Sequence, residues 1–421
     1  MAALLKLLVV ASALAAASAF LRRPKTLKVT KGELWESSVQ LARRWGYQAE
    51  QHRFFTSDNY EVILHHIVAS RNGTRGGVPV LLGHGMVSSD EQWYIRGPIG
   101  PIFLIAEQGY DVWTVNYRGS FYSRRHRTLN TKDHEFWDFS WHENGVIDQA
   151  EAIDYVLNAT GYKQLIVVGH SMSSTAQVVL LAERPEYNDK VMGQVLMCPT
   201  VLFGHPTGAV AWGLGRLNDV SFQKLDYHDS LENDWVPGLA HPVPETCYIN
   251  SGSPKAILMP HCLRIFDFIM GKIHRPVNDY LLYLILHHYP AGASIKQMVH
   301  YIQSSYSGNF SLFDYGKDRN QELYGQDIPP LYNLTNIRTP TYFVYGSADA
   351  TVNWKDVKIL ADRMNLGVVK KLHLVVDYNH IDYLIATDAD KVIYPALLKY
   401  LDEIRDGSYS KELERPKVTT F

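Results

Sequence analysis

Residues 165–175 restrict the possible fold more than any other part of the chain. They read LIVVGHSMSST, in which an apolar run typical of a buried strand stops at Gly169 and small polar residues then begin a helical pattern. Ser171 stands at the turn between the two. The stretch is nearly the G-x-S-x-G pattern, in which a strand turns sharply into a helix and presents a nucleophilic serine, although Ser173 replaces the second glycine. The sequence therefore predicts strands that run directly into helices.

The same alternation of strand and helix patterns recurs along the chain. Amphipathic stretches such as 146–160 and 175–185 lie between short apolar runs that end in turn or polar residues. This order predicts an α/β fold with a mostly parallel central sheet covered by helices on both faces. The strand-like runs are VPVLLGHG (78–85), YDVWTVNYRG (110–119), QLIVVGHS (164–171), GQVLMCPT (193–200), PTYFVYGSAD (340–349) and KLHLVVDYNH (371–380).

The alternation stops between residues 201 and 335, where Pro, Gly, His and aromatic residues are frequent and helix-like pieces occur. We interpret this stretch as an inserted, mainly helical cap or lid domain over the ends of the strands. The predicted organisation is a signal peptide (1–19), the first part of the core (20–200), the cap (201–335), the second part of the core (336–405) and a polar tail (406–421).

The N-terminal residues are typical of a secretory signal peptide. Lys6 precedes a short apolar run that ends at Ala17-Ser18-Ala19, and the run is too short for a membrane anchor. Four N-x-S/T sequons agree with export. We therefore expect a glycosylated protein of the secretory pathway, either extracellular or lysosomal. The candidate glycosylation sites are Asn72, Asn158, Asn309 and Asn333.

The charge balance and the motifs of the chain exclude several classes of function. The chain has 41 Lys and Arg against 43 Asp and Glu, a net charge of −2, so no basic field favours nucleic-acid binding. The sequence contains no CxxC, HExxH or Walker-type stretch. We therefore expect neither a cofactor nor a metal ion, and no transmembrane segment.

Polar residues at the ends of three strand-like runs are the candidates for catalysis, because ligands of open α/β sheets bind beyond the carboxyl ends of the strands. These residues are Ser171, Asp349 and His380, and their order is that of the α/β-hydrolase triad. A serine hydroxyl is a weak nucleophile unless an imidazole takes its proton. A carboxylate then holds that imidazole in the right tautomer and stabilises its cation.

Other interpretations of these positions stay open in the sequence. Asp349 could simply cap the following helix, with Asp356 or Asp377 as the acid instead. His380 is one of 18 histidines, and a lone histidine is usually structural. We interpret His170, directly before the serine, as structural.

A tetrahedral intermediate also needs backbone N–H donors for its oxyanion. One comes from the residue after the nucleophile and the other from the loop after an early strand. The corresponding residues are Met172 and Met86, the latter in GHGM (83–86). Because only the backbone acts, methionine is acceptable at both positions. A tight turn without this role is the alternative for His84-Gly85.

With these residues placed, nearly all of the chain after the signal peptide resembles the acid lipase family of α/β-hydrolases. The family usually has Gln at the position of Met172 and Gly at that of Ser173. The resemblance implies a cap with a lid, no cofactor, and the same triad and oxyanion residues. The resembling stretches are LLGHGM, NYRGSFYSRRH with EFWDFSWHE, GHSMSS, HHYPAGASIKQMVHY, PPLYNLTNIRTPTYFVYGSADATVNWKDV and DYNHIDYL.

The resemblance also implies a substrate class, the neutral lipid esters such as triacylglycerols or cholesteryl esters. The expected function is therefore a serine lipase that acts at a lipid–water interface. Two alternatives stay open in the sequence. One is a carboxylesterase for small soluble esters, and the other is a lipid-binding protein whose catalytic site is a relic.

The three cysteines allow at most one internal disulfide. Cys247 and Cys262 are close in sequence within the predicted cap, in a chain expected to pass through an oxidising compartment, so we expect them to pair. Cys198 lies in an apolar run and is expected to be a buried free thiol.

Overall fold

The computed structural model describes residues 36–208, 248–249, 257–258, 264, 267–277, 281–282, 284–285, 289–365 and 367–409. The predicted signal peptide, both cysteines of the predicted disulfide and much of the predicted cap lie outside these residues.

Strands and helices alternate over most of the described chain. The strands are β1 (Gln48–Phe55), β2 (Tyr60–Ala69), β3 (Pro79–Gly83), β4 (Asp111–Asn116), β5 (Arg125–His126), β6 (Leu165–His170), β7 (Val191–Met197), β8 (Tyr248–Ile249), β9 (Ile257–Leu258), β10 (Thr341–Gly346) and β11 (Val369–Val375). The helices are α1 (Ser38–Arg44), α2 (Pro101–Glu107), α3 (Ala150–Thr160), α4 (Met172–Glu183), α5 (Ile295–Ser307), α6 (Lys317–Tyr324), α7 (Trp354–Arg363), α8 (Asp382–Ile385), α9 (Ala389–Val392) and α10 (Tyr394–Asp406). A helical turn, Trp141–Glu143, and a π-helical stretch, Asn144–Gln149, lead into α3.

One sheet of nine strands forms the centre of the molecule. Eight strands lie in the order β1-β2-β4-β3-β6-β7-β10-β11, and the short β5 pairs with β2. The pairs β1–β2 and β2–β4 are antiparallel, whereas all pairs from β4 to β11 are parallel. The predicted α/β fold with a mostly parallel sheet is confirmed. The carboxyl ends of the parallel strands therefore meet at one edge.

Side chains of the central strands alternate between two hydrophobic clusters, one on each face of the sheet. In β6, Ile166 and Val168 join the cluster that includes Phe103 of α2. Leu165 and Val167 join the cluster that includes residues of α3, α4 and α7. Successive side chains of a strand point to opposite faces. Because both faces are covered, β6 reads as a continuous apolar run in the sequence.

Apolar side chains from the predicted cap also contribute to these clusters. Leu281, Leu282 and Ile285 belong to the first cluster, and Phe310 and Tyr332 belong to the second. The boundaries of the cap stay a prediction. Among the described residues, the helices are all too short or too polar to cross a lipid bilayer.

Other predictions concern single residues. Cys198 is buried and its thiol is free, as predicted. The four candidate glycosylation sites are all exposed in the structure, which a glycan requires: Asn72, Asn158, Asn309 and Asn333.

Candidate active site

Ser171 lies at a strained turn between β6 and α4. Its backbone has φ +56° and ψ −117°, a conformation that residues other than glycine rarely adopt. The turn is held in place because the Ser171 N–H donates to the carbonyl of Met197 on β7 at 2.9 Å. A Cβ at Gly169 would lie 2.8 Å from the backbone nitrogen of Ser174, so only glycine lets the helix pack this closely on the strand. Strain of this kind concentrates at functional sites.

The structure brings Ser171, His380 and Asp349 together at the carboxyl edge of the sheet. His380 Nε2 is 2.8 Å from Ser171 Oγ, and His380 Nδ1 is 2.8 Å from Asp349 Oδ2. All three side chains are buried. The serine hydroxyl can donate to Nε2 while the Nδ1–H donates to the carboxylate, which is the arrangement that activates a serine nucleophile.

Backbone donors hold the Asp349 carboxylate in position. The N–H groups of Thr351 and Val352 both donate to Asp349 Oδ1 at 2.8 Å, which leaves Oδ2 for the histidine. The two other acids considered in the sequence lie elsewhere. Asp356 pairs with His205, and Asp377 is exposed to solvent.

Charge and burial act in opposite directions on the central histidine. Burial lowers the pKa of His380, but the adjacent Asp349 carboxylate outweighs this effect and holds the pKa well above its usual value. The carboxylate thereby stabilises the imidazolium that forms when Ser171 gives up its proton.

His170 and Cys198 lie behind His380 and contact its backbone. His170 Nε2–H donates to the His380 carbonyl at 3.2 Å, and the Cys198 thiol approaches the same oxygen at 3.6 Å. Burial lowers the pKa of His170 to about 3, so this ring is neutral. Ligand atoms of His170, Cys198 and His380 lie within 4.8 Å of one another. However, both ring nitrogens of His380 already have partners. We therefore interpret His170 and Cys198 as residues that hold the loop carrying His380 in place.

The loop after β3 carries Met86, the predicted first oxyanion donor, close to the serine. A Cβ at the preceding Gly85 would lie 3.3 Å from Ser171 Cβ. Met172, the predicted second donor, is the first residue of α4, where backbone N–H groups have no partner within the helix. Met86 thus follows a residue that lies against Ser171, and Met172 follows Ser171 directly, while their role as oxyanion donors stays a prediction.

The side chains of His84 and Gln92, whose role was not predicted from the sequence, hold this loop. His84 Nδ1–H donates to the Gly85 carbonyl at 2.7 Å, and its Nε2 accepts from the N–H of Tyr117 at 3.2 Å. Burial lowers the pKa of His84 to about 4, which keeps Nε2 free to accept. Gln92 accepts from the Gly85 N–H at 3.3 Å. The histidine of GHGM was a visible signal, but the Tyr117 N–H from which it accepts comes after another strand, β4.

Ser173 fits the turn because of two neighbours. A Cβ at Gly83 of β3 would lie 1.9 Å from Ser173 Oγ, so the glycine provides the space that the serine fills. The hydroxyl lies 2.8 Å from the Tyr117 hydroxyl, which donates to Gln149 at 2.6 Å. The next residue bonds the backbone, because the Ser174 hydroxyl donates to the Gly169 carbonyl at 2.8 Å.

A described piece of the predicted cap contacts the loops that carry the acid and the histidine. The Met270 carbonyl accepts from the His380 N–H at 2.9 Å, and the Ile269 carbonyl accepts from the Thr351 hydroxyl at 2.8 Å. Asn379 donates to the Gly271 carbonyl at 3.0 Å. Residues 269–271 thus fix the relative positions of Asp349 and His380.

Comparison with known proteins finds sequence profiles and a solved structure that are similar to this chain. A sequence profile of the alpha/beta hydrolase fold matches residues 78–227, and one of a partial alpha/beta-hydrolase lipase region matches residues 38–97. A soluble variant of monoglyceride lipase from Saccharomyces cerevisiae has a similar fold, with a TM-score of 0.50 and 14% identity over 90% of this chain and 99% of that one.

Several curated proteins are similar in sequence over most of their length. Lipase 1 of Drosophila melanogaster is 34% identical over 88% of this chain and 80% of its own, and Lipase 3 of the same species is 36% identical over 85% and 90%. The lysosomal acid lipase/cholesteryl ester hydrolase of Rattus norvegicus is 28% identical over 88% of this chain and 92% of its own.

Proposed function

The chain belongs to the acid lipase family of α/β hydrolases, and from this premise we propose that it is a serine lipase that hydrolyses neutral lipid esters. The observation that carries the proposal is the hydrogen-bonded series Ser171, His380 and Asp349 beside a strained strand-to-helix turn. A relic site would have no need to retain either the strain or the alignment.

In the proposed reaction, Ser171 Oγ attacks the ester carbonyl carbon while its proton passes to His380 Nε2. The carbonyl oxygen becomes an oxyanion and accepts hydrogen bonds from the N–H groups of Met86 and Met172. Asp349 stabilises the imidazolium throughout this step. The intermediate collapses when His380 returns the proton to the alcohol oxygen, which leaves as the C–O bond breaks.

The remaining acyl-enzyme is hydrolysed by the same groups. Water attacks the acyl carbon as His380 takes one of its protons, and the second tetrahedral intermediate expels Ser171 Oγ. His380 then gives the proton back to the serine, and a carboxylic acid is released. Each turnover therefore consumes one water and restores the enzyme, with no cofactor in the sequence of steps.

The substrate class rests on the family. Relatives that match along most of the chain are lipases by name, and one is also named a cholesteryl ester hydrolase. We propose triacylglycerols or cholesteryl esters as substrates, presented at a lipid–water interface. The signal-like N-terminus and four exposed sequon asparagines support passage through the secretory pathway to an extracellular or lysosomal location.

The test compares two substrates, an emulsified long-chain triacylglycerol and a short soluble ester. The proposal predicts that the parent protein hydrolyses both and acts faster on the emulsion, and that Ser171→Ala loses both activities. An exposed-serine control, Ser57→Ala, should keep them. Hydrolysis of the soluble ester alone would indicate a carboxylesterase. A folded parent that hydrolyses neither would overturn the proposal.

A further inference from the structure

Two histidines and a glutamate converge on the outer strand pair of the sheet, away from Ser171. Glu50 and His52 belong to β1, and His66 belongs to β2. We propose that Glu50, His52 and His66 form a divalent-cation site that binds Zn²⁺. This site is independent of ester hydrolysis and is here called the strand-pair site.

The strand register brings the three side chains to one face of the sheet. Glu50 lies directly opposite His66 in the antiparallel pair, and His52 is two residues further along β1. Side chains two residues apart on a strand share a face. One ligand atom from each residue lies within 4.8 Å of the other two. The neighbouring His65 points to the opposite face, where it contacts Asp90.

The distance between His66 and Glu50 suits a zinc ion, and the shorter contact between His52 and Glu50 is a hydrogen bond that the ion would replace. His52 Nε2 is 2.9 Å and His66 Nδ1 is 3.5 Å from Glu50 Oε1. Zinc bonds to nitrogen and oxygen of roughly 2.1 Å place neighbouring ligands of a tetrahedron about 3.4 Å apart. Two imidazoles and one carboxylate are among the ligand sets that zinc accepts, with water in the fourth position.

The free nitrogen of His66 is the strongest indication of a ligand. His66 Nε2 is 2.7 Å from Asp111 Oδ1, so this nitrogen carries the proton and donates. In the neutral ring the lone pair is then on Nδ1. This atom is buried and has no hydrogen-bond partner among the described residues, although it faces the Glu50 carboxylate. A lone pair that faces a carboxylate is unfavourable unless a proton or a metal cation lies between them, and a bound metal ion would satisfy both groups.

Outer contacts hold both rings in the orientation that a metal needs. Asp111 also accepts from the indole N–H of Trp113 at 2.8 Å, and the Trp113 ring stacks on His66 at 3.8 Å. His52 Nδ1 lies 3.1 Å from the Tyr155 hydroxyl, which can accept its proton and leave Nε2 for the ion. Metal-bound histidines almost always have such a partner on the second nitrogen.

The location indicates what the ion would do. The strand-pair site joins the edge strand β1 to β2 and, through Tyr155, to α3. Asp111 is the first residue of β4, so the site lies at the amino end of the parallel strands and Ser171 lies at the carboxyl end. Half of the Glu50 side chain is exposed, which gives the ion a path from solvent. Zinc should therefore raise thermal stability without a change in turnover.

The experiment titrates the untagged, full-length glycosylated protein, stripped of metal, with ZnCl₂ against a fluorescent zinc indicator. The parent is expected to bind one equivalent more than His52→Ala and Glu50→Gln. These variants should weaken binding at this site at least about tenfold. Glu50→Gln keeps the shape and a hydrogen-bond acceptor, so a loss there cannot come from misfolding of the strand. Circular dichroism verifies that each variant is folded.

Two controls separate this site from other histidines and from the catalytic centre. His134→Ala removes an exposed histidine elsewhere, and Cys198→Ala removes the thiol beside His380; both should bind zinc as the parent does. Zinc should also raise the melting temperature of the parent and not that of Glu50→Gln. If the parent and the two strand-pair variants bind the same number of equivalents with affinities within about twofold, the proposal is wrong.

Discussion

Two regions of this protein pair a buried aspartate with a histidine, yet the second ring nitrogen meets a different environment in each. At the carboxyl edge of the sheet, Asp349 accepts a hydrogen bond from Nδ1 of His380 at 2.8 Å, and Nε2 of the same ring faces the hydroxyl of Ser171. In the outer strand pair, Asp111 accepts a hydrogen bond from Nε2 of His66 at 2.7 Å, and Nδ1 of that ring faces the Glu50 carboxylate and the His52 imidazole. The same pair therefore serves different chemistry.

A third pair, His65 and Asp90, shows the case in which both ring nitrogens have partners within the protein. His65 is fully buried, with Nδ1 2.6 Å from Asp90 and Nε2 3.2 Å from Gln51. Both nitrogens have hydrogen-bond partners inside the protein, so neither is available to a substrate or an ion. The carboxylate sets the tautomer in all three pairs, and the group opposite the second nitrogen decides between catalysis, metal binding and structure.

The largest expected effect on activity comes from the Asp→Asn substitution, compared at Asp349 and Asp111. Asp349→Asn should lower kcat by about 10⁴-fold, because the amide no longer holds His380 in the required tautomer. Asp111→Asn should leave kcat within about threefold of the parent value, because Asp111 lies far from the reacting atoms. It should instead weaken zinc binding by about 10–100-fold. Steady-state kinetics and zinc titration of both variants measure the contrast.

The parent protein is the control for both variants, and circular dichroism verifies that each variant is folded. Equal losses of activity in Asp349→Asn and Asp111→Asn would mean that the two regions do not have separate roles. Unchanged kcat in Asp349→Asn would remove this aspartate from the mechanism.

An intermediate effect concerns Asp382, a buried carboxyl two residues after His380. Its pKa is raised from 3.8 to about 7, mainly by burial and also by Asp388 and Asp349, although the Asn379 N–H and Arg275 act in the opposite direction. The folded state therefore retains a proton that the unfolded chain releases. The free energy of unfolding should fall as the pH rises from about 4 to 7, by up to about 4 kcal/mol from this group.

Asp382→Asn tests this dependence, since an amide oxygen can still accept from the backbone N–H of Asn379. Denaturant unfolding across that pH range should show a flatter pH profile for the variant, which should be the more stable protein at neutral pH. Parallel profiles for parent and variant would show that Asp382 is ionised in the folded state.

The smallest expected effect concerns the turn itself. Ser173→Gly should reduce stability by about 1–2 kcal/mol, because the bond to Tyr117 is lost, a small cavity opens and glycine is unfavourable within a helix. Turnover should stay within about tenfold of the parent, since Ser171 and its donors keep their places. Thermal unfolding and ester hydrolysis measure both quantities. A large gain in activity would mean that Ser173 had disabled the turn.

The sequence predicted the sheet and the positions of the triad residues because both depend on local patterns. Continuous apolar runs mark strands buried on both faces, and the polar residue at the end of each run lies at the shared carboxyl edge. Ser171, Asp349 and His380 could therefore be placed without knowledge of any contact between them.

The contacts that support the site could not be predicted in this way. Ser173 depends on Gly83 of another strand, and the His380 loop depends on the carbonyl of Met270. The strand-pair site was not predicted for the same reason, and no metal ion was expected from the sequence. Its ligands match no linear motif, because Glu50 and His66 become neighbours only through the register of β1 and β2.

Covalent labelling of Ser171 tests the central claim most directly. The folded parent would be treated with a long-chain alkylphosphonate that carries a good leaving group, and the adduct would be located by peptide mass spectrometry. The account predicts one adduct per chain, on Ser171, absent from Ser171→Ala, retained in Ser173→Gly and formed much more slowly in Asp349→Asn. A folded parent that stays unlabelled, or an adduct on another residue, would contradict the account.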